Sequence, residues 1–155
     1  MERNESEGNL RIMAVSSALG LKELVDAASK IDDAQVFDSD SIASEKQLKL
    51  AFYHARESFR EKSNLAKSFR MEFLLRTAAT RQIKVAIERC GVKDPNKAIL
   101  AVWKGDENDV LQALKAKESK WEINKDRLIS LYGLDNKEDV EKQIIKKMVE
   151  VQIED

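Results

Sequence analysis

Ala98-Ile99-Leu100-Ala101-Val102-Trp103 is an unbroken apolar run, bounded by Pro95 and Gly105. A strand with one wet face would carry a polar residue at every second position. None occurs here, so the run reads as a strand buried on both faces. Such a strand needs neighbouring strands and cover on each side, and reading outward supplies both. Leu10, Ile12, Ala14 and Ala18 sit among Arg11, Met13, Val15 and Ser16, which predicts a first strand near 10–16. Ala34-Gln35-Val36-Phe37, bounded by acids, predicts a second. Between them, after Gly20, Leu21, Leu24, Val25, Ala28 and Ile31 recur at helical spacing until Asp32-Asp33 breaks the pattern.

The cover is helical. Ser44, with Gln47 three residues on, has the form of a capping box. The helix it opens carries Leu48, Ala51, Phe52, Ala55 and Phe59 as its buried stripe and runs to about Lys62, before a turn at Ser63-Asn64. Ser68 can cap the next helix, through Phe69, Phe73, Leu74 and Ala78, and Thr80 a third. In that third helix Ile83, Ala86, Ile87 and Cys90 form the clearest amphipathic stripe in the chain, closed by Gly91 as the C′ residue and by Pro95. Beyond the buried strand, Asp106 opens a helix through Val110, Leu111 and Leu114, and Trp121-Glu122-Ile123 suits a short edge strand. Asn124 begins a short helix through Leu128 and Leu131 that Gly133 stops. Asn136 caps a last one, with Val140, Ile144 and Met148 facing one way and Ile145 widening the stripe. The expected fold is α/β (α+β): one domain over 10–155, a small mixed sheet covered by several helices, behind a frayed segment 1–9.

At 155 residues with 43% hydrophobic content, the chain can build one real core. A single cysteine, Cys90, excludes internal disulfides, Cys-rich zinc sites and CxxC redox chemistry, and points to a reducing compartment. Closing an apolar stripe, Cys90 reads as a small core residue. A single histidine, His54, excludes multi-His metal sites. The five glycines are too far apart for a GxGxxG or a P-loop. No apolar stretch suits a signal peptide or a membrane span, so a soluble, cytoplasmic protein without membrane contact or cofactor is expected. Asp38 and Asp40 invite comparison with a catalytic acid pair, but no base or metal partner accompanies them and a solvated strand end explains them more simply. A dyad of Cys90 and His54 would rest on one pairing without a motif. No catalytic constellation emerges.

The net charge of -1 hides an uneven distribution. Residues 1–48 hold five basic and ten acidic residues, a local sum of -5. Residues 49–93 hold eleven and four, or +7, and residues 94–155 eleven and fourteen, or -3. Within the basic block Lys62, Lys67, Arg70, Arg76, Arg81 and Lys84 cluster around the turn at Asn64 and the junction at Thr80. Arginine forks and helix N-terminal amides both take phosphates, so this block would suit an RNA backbone. A solvated helical face is the equally weighted alternative.

The same block carries a resemblance. Asn64, Phe69 to Glu72, Ala78-Ala79, Arg81-Gln82-Ile83, Ala86 and Gly91 follow a pattern similar to that of the kinase-binding subunit of the KEOPS complex, the PRPK-binding protein family. The turn Gly91-Val-Lys-Asp-Pro-Asn96 resembles archaeal members, and the likeness extends over about 10–153. It implies a non-catalytic subunit that binds the small atypical kinase of KEOPS and, through it, the threonylcarbamoyl transferase subunit and the small dimerising subunit. It also implies tRNA binding at the single-stranded 3′ CCA end, in support of threonylcarbamoyl modification of the adenosine beside the anticodon. The tRNA-site candidates are Asn64, Lys67, Arg70, Arg76, Arg81 and Gln82, with the Arg81-Gln82 pair equally suited to a structural role in which Gln82 satisfies a turn. Phe69 shares its spacing with Phe73 and reads as core. For the kinase, the last helix offers Ile144, Ile145, Met148 and Val149, with Val151 and Ile153 beyond. These are more apolar positions than one narrow stripe holds, though completing the core would use them equally well. The competing function is a purely protein-binding scaffold with no RNA affinity.

Overall fold

The structure is a computed structural model that describes residues 10–153; the expected frayed segment 1–9 lies outside them. The chain divides into two compact units, each assembled from two stretches of sequence. One joins the chain up to Ser39 to Val92–Glu122, and the other joins Asp40–Gly91 to the chain from Ile123 onward.

The first unit holds the sheet. β1 (Arg11–Ser17), β2 (Ala34–Asp38), β3 (Ala98–Val102) and β4 (Ala116–Glu118) lie in the order β2-β3-β1-β4. The run 98–102 is the centre of it and is buried at every position, with β1 and β2 on either side. All the pairings are antiparallel, where a mixed sheet was expected. β1 and β2, joined through α1 (Leu21–Ser29), would have been parallel neighbours, but β3 enters between them running the other way. Leu24 and Ala28 of α1 pack with Val15, Val36, Leu100 and Val102 of the sheet and with Val110 and Leu114. Each large aliphatic side chain buried here contributes about 1.5–3 kcal/mol relative to exposure. Val110 belongs to α5 (Glu107–Ala113), capped by Asp106, whose carboxylate accepts from Asn108 N at 2.7 Å.

The edge strand is not at Trp121–Ile123, which is irregular. Lys115 takes φ 48 directly after Leu114, the C-cap of α5, and turns the chain, so pairing with β1 begins at Ala116. Ser119 N donates to Ala14 O at 2.7 Å as the last bond along that edge, and Trp121 falls beyond it.

The second unit is helical: α2 (Glu45–Arg60), α3 (Phe69–Thr77), α4 (Ile83–Cys90), α6 (Lys125–Tyr132) and α7 (Val140–Ile153). α2 starts as its sequence predicts. Ser44 Oγ accepts from Gln47 N at 3.3 Å, and Gln47 Oε1 accepts from Ala43 N at 2.8 Å. It ends at Arg60 with Glu61 as its C-cap, and Lys62 beyond has φ 60, the left-handed conformation that usually selects glycine after a helix. Lys62→Gly is expected to raise stability by about 0.5–1 kcal/mol, read as a higher urea midpoint; an unchanged or lower midpoint would show that the lysine is not strained there. Asp139, not Asn136, caps α7: Lys142 N donates to its carboxylate at 3.1 Å, and Asn136 lies in the preceding turn. Gly91 is required by space and not by φ, since a Cβ there would lie 2.5 Å from Ile87 O.

The α4 stripe is only half used. Ala86 and Cys90 are buried, whereas Ile83 and Ile87 are exposed. Among the described residues, no helix is long and apolar enough to cross a membrane.

Candidate nucleic-acid interface

The candidate RNA-binding residues gather at the two ends of α3. Asn64 and Lys67 are exposed on the 61–68 loop that leads into it, and Arg70 is half-buried in its first turn. Arg81 and Gln82 are exposed at its other end, on the way into α4. Nine helical residues separate the two groups by about 13 Å of helix axis.

Asn64 is partly committed to its own loop, its Nδ2 donating to Ala66 O at 2.8 Å. Arg81 Nη1 donates to Val151 O at 3.3 Å, which ties the junction to α7. Gln82 is the N-cap of α4, yet its side chain makes no capping bond; the turn is satisfied instead by Thr80 Oγ1, which accepts from Gln82 N at 3.2 Å. The α4 N-terminus therefore has no side-chain cap, and Arg81 and Lys84 flank it on an exposed surface. Amide dipoles and cations there favour an anion. Phe69 is half-buried in an aromatic cluster, with ring centroids 5.4 Å from Phe52 and 5.7 Å from Phe59.

Arg76 stands apart from the other five candidates. Its side chain is 5% exposed and paired with Glu72, itself fully buried, through Nε at 3.0 Å and Nη2 at 2.8 Å. Nη1 donates to Gln152 Oε1 at 3.0 Å. A guanidinium so enclosed does not face an RNA backbone in this conformation. Sequence reading had not assigned Glu72 a role. It accepts five bonds: Leu65 N at 2.8 Å and Ala66 N at 2.7 Å on Oε1, and Ser58 Oγ at 2.9 Å with the two Arg76 donors on Oε2. The signal lay in the spacing: an opposite-charge pair at i, i+4 enclosing Phe73-Leu74-Leu75 marks a charged pair on an apolar helix.

A second polar cluster holds the far end of α3. Tyr132 Oη donates to Ser41 O at 2.8 Å, accepts from Gln47 Nε2 at 3.0 Å and lies 3.2 Å from Cys90 Sγ. Gln47 Nε2 also donates to Thr77 O at 3.0 Å. Burial, and then the Cys90 thiol, push the Tyr132 phenol well above its ordinary range, so it remains a donor.

His54 on α2 is buried, and its Nδ1 has no hydrogen-bond partner. Burial first, and the Arg76 charge second, lower its pKa from the ordinary 6.5. Below that value the unfolded chain takes up a proton that the folded chain resists, so stability falls as pH drops through about 6.5. His54→Gln is expected to flatten that slope in urea unfolding compared at pH 8 and pH 5.5; an equal slope in the variant would move its origin elsewhere. Asp38 is not a solvated strand end: it is buried and lies 3.6 Å from Lys93 Nζ. Among the described residues no cluster of three or more His, Cys, Asp or Glu could hold a metal ion.

For the kinase-facing candidates, Ile144 and Met148 are corrected to core. They are 0% and 1% exposed, on the face that α7 turns into its unit, and have no surface to offer. Ile145 is half-buried, and Val149 and Ile153 are exposed.

A small α/β protein, with a sheet unit and a helical unit carrying a basic segment, is what the geometry defines. A family model described as kinase binding protein CGI-121 matches residues 13–153, and the chain belongs to that family. It is similar to a protein of Methanocaldococcus jannaschii named regulatory protein Cgi121, 36% identical over 66 residues. That match covers 43% of this chain and 43% of the relative's length.

Proposed function

We propose that the chain is a non-catalytic, cytoplasmic accessory subunit of KEOPS that binds the atypical kinase and the 3′ CCA end of tRNA, in support of threonylcarbamoyl modification beside the anticodon. The observation that carries the RNA half is the placement of exposed Asn64, Lys67, Arg81 and Gln82, with half-buried Arg70, at the two ends of α3. A single-stranded end is held by backbone neutralisation together with contacts to its bases. Lys67, Arg70 and Arg81 supply the first; Gln82 and the remaining acceptor of Asn64 supply the second. Arg76 serves inside the fold. The name of the family supports the kinase half, and on α7 the accessible residues Ile145 and Val149 are the ones fitted to meet a partner.

A protein-only scaffold is the second reading, favoured by the exposed isoleucines Ile83 and Ile87 within the basic segment. Binding of tRNA, measured across a salt series, separates the two. Intact tRNA is expected to bind more tightly than tRNA trimmed of its CCA end. The double variant Arg70→Glu with Arg81→Glu is expected to lose at least about tenfold in affinity and to flatten the salt dependence by about 0.7 per lost phosphate contact. Equal affinity for trimmed tRNA rejects the CCA assignment. Kinase co-purification without any tRNA affinity selects the scaffold.

A further inference from the structure

The geometry points to Glu72 as the positioning residue of the tRNA site, with Arg76 holding Glu72 in place and not touching the RNA. The inference rests on the RNA-binding reading above and deepens it. The 61–68 loop carries Asn64 and Lys67, and two of its backbone amides, Leu65 N and Ala66 N, end on one oxygen of Glu72, at 2.8 and 2.7 Å. The other oxygen is shared by Ser58 on α2 and Arg76 on α3. One carboxylate thus fixes the loop to both helices that flank it. Arg76 continues the chain to α7 through Gln152. Ala66 itself is buried, whereas its neighbours Asn64 and Lys67 are exposed, so anchoring Leu65 and Ala66 sets where those two side chains point. A surface loop without such anchors would lose entropy each time it met a ligand. Glu72 removes that cost before RNA arrives.

Because removing one member of a buried ion pair can unfold the unit, the test uses neutral pairs in the full chain. Glu72→Gln with Arg76→Gln keeps an oxygen for the loop amides and removes the guanidinium. Glu72→Met with Arg76→Met removes both. The probe is an intact tRNA transcript titrated across a salt series, with hydrogen exchange at the Leu65 and Ala66 amides recorded in parallel and Lys67→Ala as the direct-contact control. The Gln pair is expected to bind within about twofold of the unaltered chain and with the same salt slope. The Met pair is expected to lose protection at Leu65 and Ala66 and about tenfold in affinity, again with an unchanged slope, whereas Lys67→Ala lowers the slope by about 0.7. A lowered slope in the Gln pair would place Arg76 on a phosphate and overturn the inference. Unweakened binding by a Met pair that has lost its amide protection would overturn it as well. Failure of the unaltered chain to bind tRNA would remove the underlying reading, a result distinct from either.

Discussion

Glu72→Ala is expected to destabilise the chain by about 3–5 kcal/mol, the penalty for leaving a buried ion without its partner. Three losses coincide there. The Arg76 guanidinium, 5% exposed, keeps only Gln152; the Ser58 hydroxyl loses its carboxylate; and Leu65 N and Ala66 N lose their shared acceptor. Urea unfolding monitored by circular dichroism measures the effect. A loss below about 1 kcal/mol would mean that Arg76 finds solvent when unpaired. The contrast is Glu57→Ala, which breaks the neighbouring pair with Arg60. Arg60 is 71% exposed there, and the expected change is at most about 0.5 kcal/mol.

Tyr132→Phe is expected to cost about 2–3 kcal/mol, because it keeps the ring but removes one hydrogen bond from Ser41 O and one from Gln47 Nε2 at a buried site. Gln47→Leu attacks the same cluster from α2 and also frees Ala43 N and Thr77 O. The two losses should not add. Once the phenol is gone, part of what Gln47 contributes is already lost, so a double-mutant cycle should return a coupling of about 0.5–3 kcal/mol. Strict additivity would mean that the hydroxyl and the amide act independently despite their 3.0 Å contact.

What could be read from the sequence followed how local each signal is. The run at 98–103 announced a central strand because burial on both faces removes all alternation, and Ser44, Ser68 and Asn124 announced helix starts because a cap is a bond between near neighbours. Other expectations failed where the decision was not local. Trp121–Ile123 is apolar enough for a strand, but the left-handed Lys115 had already committed the pairing at Ala116. Asn136 is as good a cap as Asp139; the position of the turn chose between them. Ile83 and Ile87 hold the same helical spacing as Ala86 and Cys90, and periodicity carries no information on which side of a wide stripe finds a partner. At the candidate site the basic segment was evident from charge alone. That Arg76 turns inward while Arg70 and Arg81 reach the surface was not, since it follows from Glu72 being captured by a loop that precedes it.

The antiparallel insertion of β3 also bears on the order of events during synthesis. β1 and β2 are never hydrogen-bonded to each other; each pairs with β3. Residues 39–97, which include α2, α3 and α4, separate the end of β2 from β3. At ribosomal speeds of about 5–20 residues per second, those 59 residues take roughly 3–12 s to emerge. During that interval two nascent strands have their edges open and no third strand between them, while α2 and α3, close in sequence, can already pair. The sheet is thus the late, non-local part of a slow topology, and the helical stretch that carries the basic residues is the early one.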